Sequence, residues 1–221
     1  MKFKRTVLVV VFLLLFKGAH CEENILNNYF GNNAAYDSCV FVDVDDNHWA
    51  AAEISYLSKY GIISGNEGLF YPDTQITRAQ FTKILILAFG LYDADAKCAF
   101  DDVPINSWFY PYVASASSLS ITAGISETKF GPDMPLQRQQ MAVLLHEAAK
   151  KCGVSYENGA EPAFLDAKDI EEYAKNSVAI LYQNNVISGD ESNYFKPTDV
   201  ATRAQASKMI YKIIEKLLKN P

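Results

Sequence analysis

The chain has 221 residues, 49% of them hydrophobic, with 20 basic and 26 acidic side chains for a formal net charge of −6. That is enough apolar material for a packed core in one or two ordinary domains, so general disorder is excluded. The acidic balance argues against nucleic acid, or an anionic membrane surface, as the main partner.

The first residues read as a targeting segment. Lys2, Lys4 and Arg5 precede an apolar run from Val7 to Phe16, followed by Gly18, Ala19, His20 and Cys21. This pattern predicts a secretory signal peptide over residues 1–21, too short for a comfortable membrane span, with cleavage near Cys21–Glu22. His20 stands where a lipoprotein signal needs a small residue, which disfavours acylation of Cys21. Without the leader, 16 basic residues face 26 acidic ones, a net charge of −10. No later apolar run reaches membrane-spanning length, so no membrane span is expected. Cys39, Cys98 and Cys152 remain, too few and too scattered for a disulfide framework or a zinc site. One bridge and one free thiol fit an oxidising compartment, with three choices of pair that the sequence does not separate.

Residues 22–38 are rich in Asn and poor in periodic apolar positions, an N-terminal arm. Three repeats follow, over residues 39–97, 98–158 and 159–221, each with one grammar. An apolar–acidic opening comes first: Phe41-Val42-Asp43-Val44, Phe100-Asp101-Asp102-Val103 and Phe164-Leu165-Asp166-Ala167. A helix is predicted next, from Trp49, Ile54, Leu57 and Tyr60 in the first copy. Trp108, Tyr112, Val113, Ala116 and Leu119 mark it in the second, and Tyr173, Val178, Leu181 and Tyr182 in the third. It stops at a turn bearing Gly65, Gly124 or Gly189, where the glycine either takes positive φ or lets another backbone come close.

A phenylalanine–proline turn and an arginine then open the second helix, as FYPDTQITRAQF, FGPDMPLQRQQM and FKPTDVATRAQA. Thr77 to Gln80 and Thr202 to Gln205 form T-x-x-Q capping boxes, whereas Gln137 makes a weaker start in the middle copy. Arg78, Arg138 and Arg203 sit at the positive end of a helix dipole, where acids are normally favoured. One reading makes them anion-binding forks beside free helix-mouth amides. The other makes them fasteners that pair with a nearby aspartate to hold the repeat.

Arg78 and Arg138 are 60 residues apart and Arg138 and Arg203 are 65 apart, the extra five fitting a polar insertion around Ser155 to Pro162. Two helices of about a dozen residues cannot bury both apolar stripes alone, so the copies must share a core. An all-α, pseudo-threefold bundle with grooves between adjacent repeats is expected.

The ordered set F-x-D-V, tryptophan, G-I-x-x-G, F-x-P and T-R-A-E/Q, three times over about 55–65 residues, resembles S-layer homology (SLH) repeats. The resemblance covers roughly residues 41–217. It implies a threefold helical bundle that binds an acidic, often pyruvylated, secondary cell-wall polysaccharide and fastens proteins non-covalently to a bacterial envelope. The arginine that contacts the acidic sugar maps onto Arg78 and Arg203, and onto Arg138 despite the departure Gln137-Arg138-Gln139-Gln140. The family tryptophan maps onto Trp49 and Trp108, with Tyr173 nearest in the third copy, and the opening aspartates onto Asp43, Asp102 and Asp166. With Gly65, Gly124 and Gly189 these are the candidate ligand-binding residues, and Arg78 is expected to matter most. The implied location is the bacterial cell wall, outside the cell.

Rival readings are weaker. No Ser-His-Asp or Cys-His order, glycine-rich phosphate loop or His-x-x-x-His spacing is present, so neither catalysis nor a cofactor is expected. Asp43, Asp45 and Asn47 imitate part of an EF-hand loop, but His48 replaces its glycine and Ile54 its glutamate, so no metal site is expected. The alternative from another class is a secreted assembly module whose grooves hold a peptide or other surface proteins.

Overall fold

The computed structural model describes residues 41–154 and 161–219. The leader over 1–21, the arm over 22–38, Cys39 and most of the polar insertion fall outside them. Six α-helices are present among the described residues: α1 Ala51–Lys59, α2 Arg78–Ala88, α3 Tyr110–Ser118, α4 Arg138–Lys151, α5 Glu172–Gln183 and α6 Arg203–Lys219, with a 3₁₀ turn at Ala167–Asp169. Among these residues only isolated β-bridges occur, and no strand. The fold is all-α, as the repeat grammar predicts.

The helices pair across repeats. α3 packs on α2, α5 on α4, and α1, the first helix, on α6, the last. α2, α4 and α6 also meet one another. The chain therefore closes on itself, each first helix lying against the second helix of the preceding copy.

A ring of backbone bonds fixes this closure. The Ile76 amide donates to Ala201 O at 3.0 Å, Ala201 to Leu136 O at 2.8 Å, and Leu136 to Ile76 O at 3.0 Å. All three side chains are fully buried. Each helix mouth is then closed by the next copy's turn. The amides of Arg78 and Ala79 donate to Met134 O and Pro132 O, those of Arg138 and Gln139 to Asp199 O and Pro197 O, and those of Arg203 and Ala204 to Thr74 O and Pro72 O. Orphan amides at a helix start need acceptors, and here a neighbouring repeat supplies them. The helix-mouth amides expected to stand free for an anion are already engaged.

The caps follow the sequence. Thr77 Oγ1 accepts from the Gln80 amide and Gln80 Oε1 from the Thr77 amide, both at 3.2 Å. Thr202 and Gln205 repeat this at 3.3 and 3.2 Å. In α4, Gln140 Oε1 still accepts from the Gln137 amide, while Gln137 Oε1 accepts from Gln139 Nε2 at 3.2 Å.

Phe70, Phe130 and Phe195 are buried at equivalent positions, each ring against the phenylalanine that opens its own repeat: Phe41, Phe100 and Phe164. Cys152 is disulfide-bonded. Cys98 is a free thiol, and burial pushes its pKa up.

Candidate functional site: grooves between the repeats

The arginines are built into the joints between copies. Arg78 Nε donates to Phe130 O at 2.9 Å, Arg138 Nε to Phe195 O at 2.7 Å and Arg203 Nε to Phe70 O at 2.9 Å. Each guanidinium also lies over the ring of that same phenylalanine, at 5.0, 5.1 and 4.5 Å from its centroid. Such a cation–π contact adds to the hydrogen bond and fixes the plane of the fork. The fastening role exists, but its partner is a carbonyl and a ring in place of an aspartate.

The aspartates work one step behind. Asp43 accepts from the amides of Phe70 and Tyr71 at 2.7 and 2.6 Å, Asp102 from Phe130 and Gly131 at 2.8 Å each, and Asp166 from Phe195 and Lys196 at 2.9 and 2.7 Å. Each carboxylate thus spends both oxygens on its own turn, aiming the phenylalanine carbonyl at the incoming arginine. Burial pushes the Asp102 carboxyl up, but the Phe130, Gly131 and Asp102 amides together with the charge of Lys129 outweigh it, and the net shift is downward.

The glycines are steric. A side chain at Gly65 would meet Leu69 O and the Phe41 ring, and one at Gly124 would meet Lys129 O and the Phe100 ring. At Gly189 it would meet the Asn193 backbone at 3.0 Å. Only Gly124 also takes positive φ, 78°. Close approach is the shared reason.

Around two of these arginines the joint leaves open a groove that uses the arginine, the glycine turn of the next copy and the aromatic residue of the copy after that. The one around Arg138 has a volume of about 600 Å³ and is lined by Trp49, Gly189, Lys196, Lys208 and Lys212, with Asp190 and Asp199 among its acids. Burial draws the Arg138 guanidinium below its ordinary pKa, opposed by Asp199, Asp166 and Asp190, and it stays cationic. Lys196 pairs with Asp190 at 2.8 Å. Lys208 Nζ lies 4.9 Å from the centre of the Trp49 ring and donates to Trp49 O at 3.3 Å.

The groove around Arg78, about 510 Å³, is lined by Gly124, Gln137, Gln140, Val143, Glu171 and Tyr173. Arg78 is only 4% exposed. Around Arg203 the matching parts are the Ile62–Gly65 turn, Lys83 and Trp108. There Arg203 also donates to Ser64 O at 3.0 Å, and Lys83 Nζ lies 5.8 Å from the Trp108 ring centre.

Trp49 and Trp108 are 49% and 53% exposed, and Tyr173 is 52% exposed. Trp49 and Tyr173 line the two grooves, and none of the three is a core residue. Sequence reasoning missed Lys83, Lys208, Lys212 and Lys196. A signal existed for the first two, since Lys83 and Lys208 each stand five residues after a repeated arginine, where the middle copy has Val143. Among the described residues, no cluster of three His, Cys, Asp or Glu could hold a metal. No described helix is long and apolar enough to cross a membrane.

The chain is 31% identical over 182 residues to an exoglucanase, XynX, from Acetivibrio thermocellus, an alignment covering 81% of this chain and 16% of that protein. It is 32% identical over 146 residues to the surface-layer 125 kDa protein of Lysinibacillus sphaericus, covering 66% of this chain and 12% of the other. It is 27% identical over 155 residues to a cellulosome-anchoring protein of Acetivibrio thermocellus, covering 64% and 34%. The chain thus spans between about an eighth and a third of these relatives. The family model of the S-layer homology domain matches residues 40–82, 99–142 and 163–207, more than half of the chain and each of the three copies. With three matched repeats closed into one helical ring, the chain belongs to the S-layer homology family.

Proposed function

We propose that the chain is a non-catalytic anchoring module that holds an acidic secondary wall polysaccharide, of the pyruvylated kind the family implies, in the grooves between its repeats. Its place is the outer surface of a bacterial cell. One observation carries the reading. On a strongly acidic chain, the Arg138 groove gathers Arg138, Lys196, Lys208 and Lys212 beside a half-exposed indole. Cations suit a carboxylate or phosphate, and an exposed aromatic face suits the apolar side of a sugar ring. The names of two relatives, a surface-layer protein and a cellulosome-anchoring protein, favour a role at the cell surface.

Within this reading Arg138 and Lys196 meet the acidic group, and Trp49 with Lys208 over its face forms the wall against which the ring rests. Arg203, Lys83 and Trp108 form a second such site. The aspartates and glycines hold the turns in place and need not touch the ligand. The exoglucanase shares 16% of its length with this chain, so its named activity is not carried over.

Purified sacculi test the proposal. The chain should sediment with intact sacculi and stay in solution once their secondary polymer has been removed chemically. Retention on stripped sacculi would favour the assembly reading, in which the grooves hold protein.

A further inference from the structure

The Arg78 groove departs from the Arg138 groove as a set. Copies two and three run 65 residues apart, so Asp190, Lys196, Asp199 and Lys208 answer to Ile125, Gly131, Met134 and Val143. Each charged side chain gives way to an apolar one or to none. The Lys196–Asp190 ion pair is replaced as a unit. A side chain on Gly131 would meet Met134 Sδ at 2.8 Å and Ile125 Cδ1 at 3.3 Å, so those two close over the point from which the lysine would extend.

The charge left accessible in this groove is negative. Arg78 is turned into the joint and nearly buried, whereas Glu171 is exposed at the rim. Gln139 holds Glu171 there by its bonds to the Glu171 side chain and amide. No lysine or histidine lines the groove among the described residues. A carboxylate entering it would lose water beside another carboxylate, with no exposed cation to offset the cost. Ile125 and Tyr173 line the groove and are 48% and 52% exposed, and apolar surface left open beside a groove marks a binding face. The phenol ring suits the C–H face of a sugar. Glu171 and the carboxamides of Gln137 and Gln140 are groups that pair with hydroxyls.

We propose that the Arg78 groove selects an uncharged sugar unit of the wall glycan and excludes the acidic units that the Arg138 groove takes, so that the module reads two kinds of sugar on one polymer. This rests on the wall-glycan reading above and deepens it. The sugar ring lies on Tyr173 with its apolar edge against Ile125 and Val143, and its hydroxyls meet Glu171 and the carboxamides.

The test uses the mature chain and two probes that differ in one carboxylate: a hexose methyl glycoside, and the same glycoside carrying a pyruvate ketal. Nuclear magnetic resonance reads the Ile125 δ1 methyl in one groove and the Trp49 indole in the other. The uncharged glycoside should shift the Ile125 methyl; the pyruvylated one should shift the Trp49 indole and not Ile125. An Ile125 methyl that ignores the uncharged glycoside, as it would if the wall served a peptide, overturns the proposal. So does one that answers both probes equally. A Trp49 indole silent to the pyruvylated glycoside would count against the acidic-groove reading alone, and Ile125 would still decide this site.

Two variants then test the cause. Val143→Lys restores the residue type of the outer copies and should make the Ile125 methyl respond to the pyruvylated glycoside. Ile125→Asp, which puts the third copy's residue type on a half-exposed position, should weaken the uncharged glycoside about three- to tenfold, read on the Val143 methyls. Melting temperatures should match the parent's. A folded Val143→Lys chain that gains nothing, or an Ile125→Asp chain that loses nothing, overturns the assigned wall. If Val143→Lys does not fold, Ile125→Asp decides.

Discussion

The grooves around Arg138 and Arg78 share one frame and differ in their walls. In both, the arginine donates to the next copy's phenylalanine carbonyl and covers its ring, and an aspartate holds the turn that carries it. Around Arg138 the wall residues are Trp49, Lys196, Lys208 and Lys212. The matching residues around Arg78 are Tyr173, Gly131, Val143 and Glu147, and Glu171 joins them at the rim. The frame recurs because closure of the ring depends on it. The walls diverge because none of those side chains is needed for closure.

A second difference explains part of the first. Where the outer copies have Ala79 and Ala204, the middle copy has Gln139, fully buried. Its Nε2 donates to Glu171 Oε1 at 2.8 Å and its Oε1 accepts from the Glu171 amide at 3.1 Å. The departure in α4 and the altered start of α5 are one matched pair, so the Arg78 groove is rebuilt and not merely eroded. Burial, then Glu171, raise the Tyr173 pKa, and the phenol remains a neutral rim.

The largest expected effect separates the two arginines. Arg138→Ala should weaken binding to the wall polymer by about ten- to a hundredfold, the worth of one charge-assisted contact. Arg78→Ala should change it less than about threefold and lower stability by about 2 kcal/mol, because a buried carbonyl loses its charged donor. This reverses the ranking expected from the sequence, which put Arg78 first. Calorimetric binding and denaturant midpoints on the same samples decide, and equal affinity losses would abolish the distinction.

Next in size, Gln139→Ala should cost about 1–3 kcal/mol in urea unfolding, because Glu171 loses both partners within a packed joint. Alanine fits the same place in α2 and α6, so a neutral result would mean that the pair is not holding α5 to α4.

The smallest effect is a pH dependence in the joint between α4 and α5. His146 of α4 is buried with Nδ1 3.0 Å from Ser177 Oγ of α5. Burial lowers its pKa, opposed by Glu147 and reinforced by Lys150. The folded chain resists a proton that the unfolded chain accepts near pH 6.5, so stability should hold above that pH and fall as pH drops below it. His146→Gln should flatten that part of the stability–pH curve. An unchanged curve would show that other groups carry the acid sensitivity.

The sequence by itself determined the local pieces. The capping boxes at Thr77 and Thr202, the helix starts at each arginine and the all-α class follow from short-range rules: cap chemistry, helical periodicity and turn residues. Repetition also showed that the copies share a core. The tertiary structure alone decided how they share it: α1 packs on α6, and Ile76, Leu136 and Ala201 form a ring of bonds between residues far apart in sequence. It decided as well that the repeated arginines are first of all fasteners, and that Gly65 and Gly189 are small for clearance and not for φ. The lysines that distinguish one groove from another carried little repeat signal, because a groove wall is assembled from three copies and each side chain there is free to vary without breaking the ring. A sequence specifies its bonds along the chain, whereas which cation faces which indole depends on distances that exist only once the ring has closed.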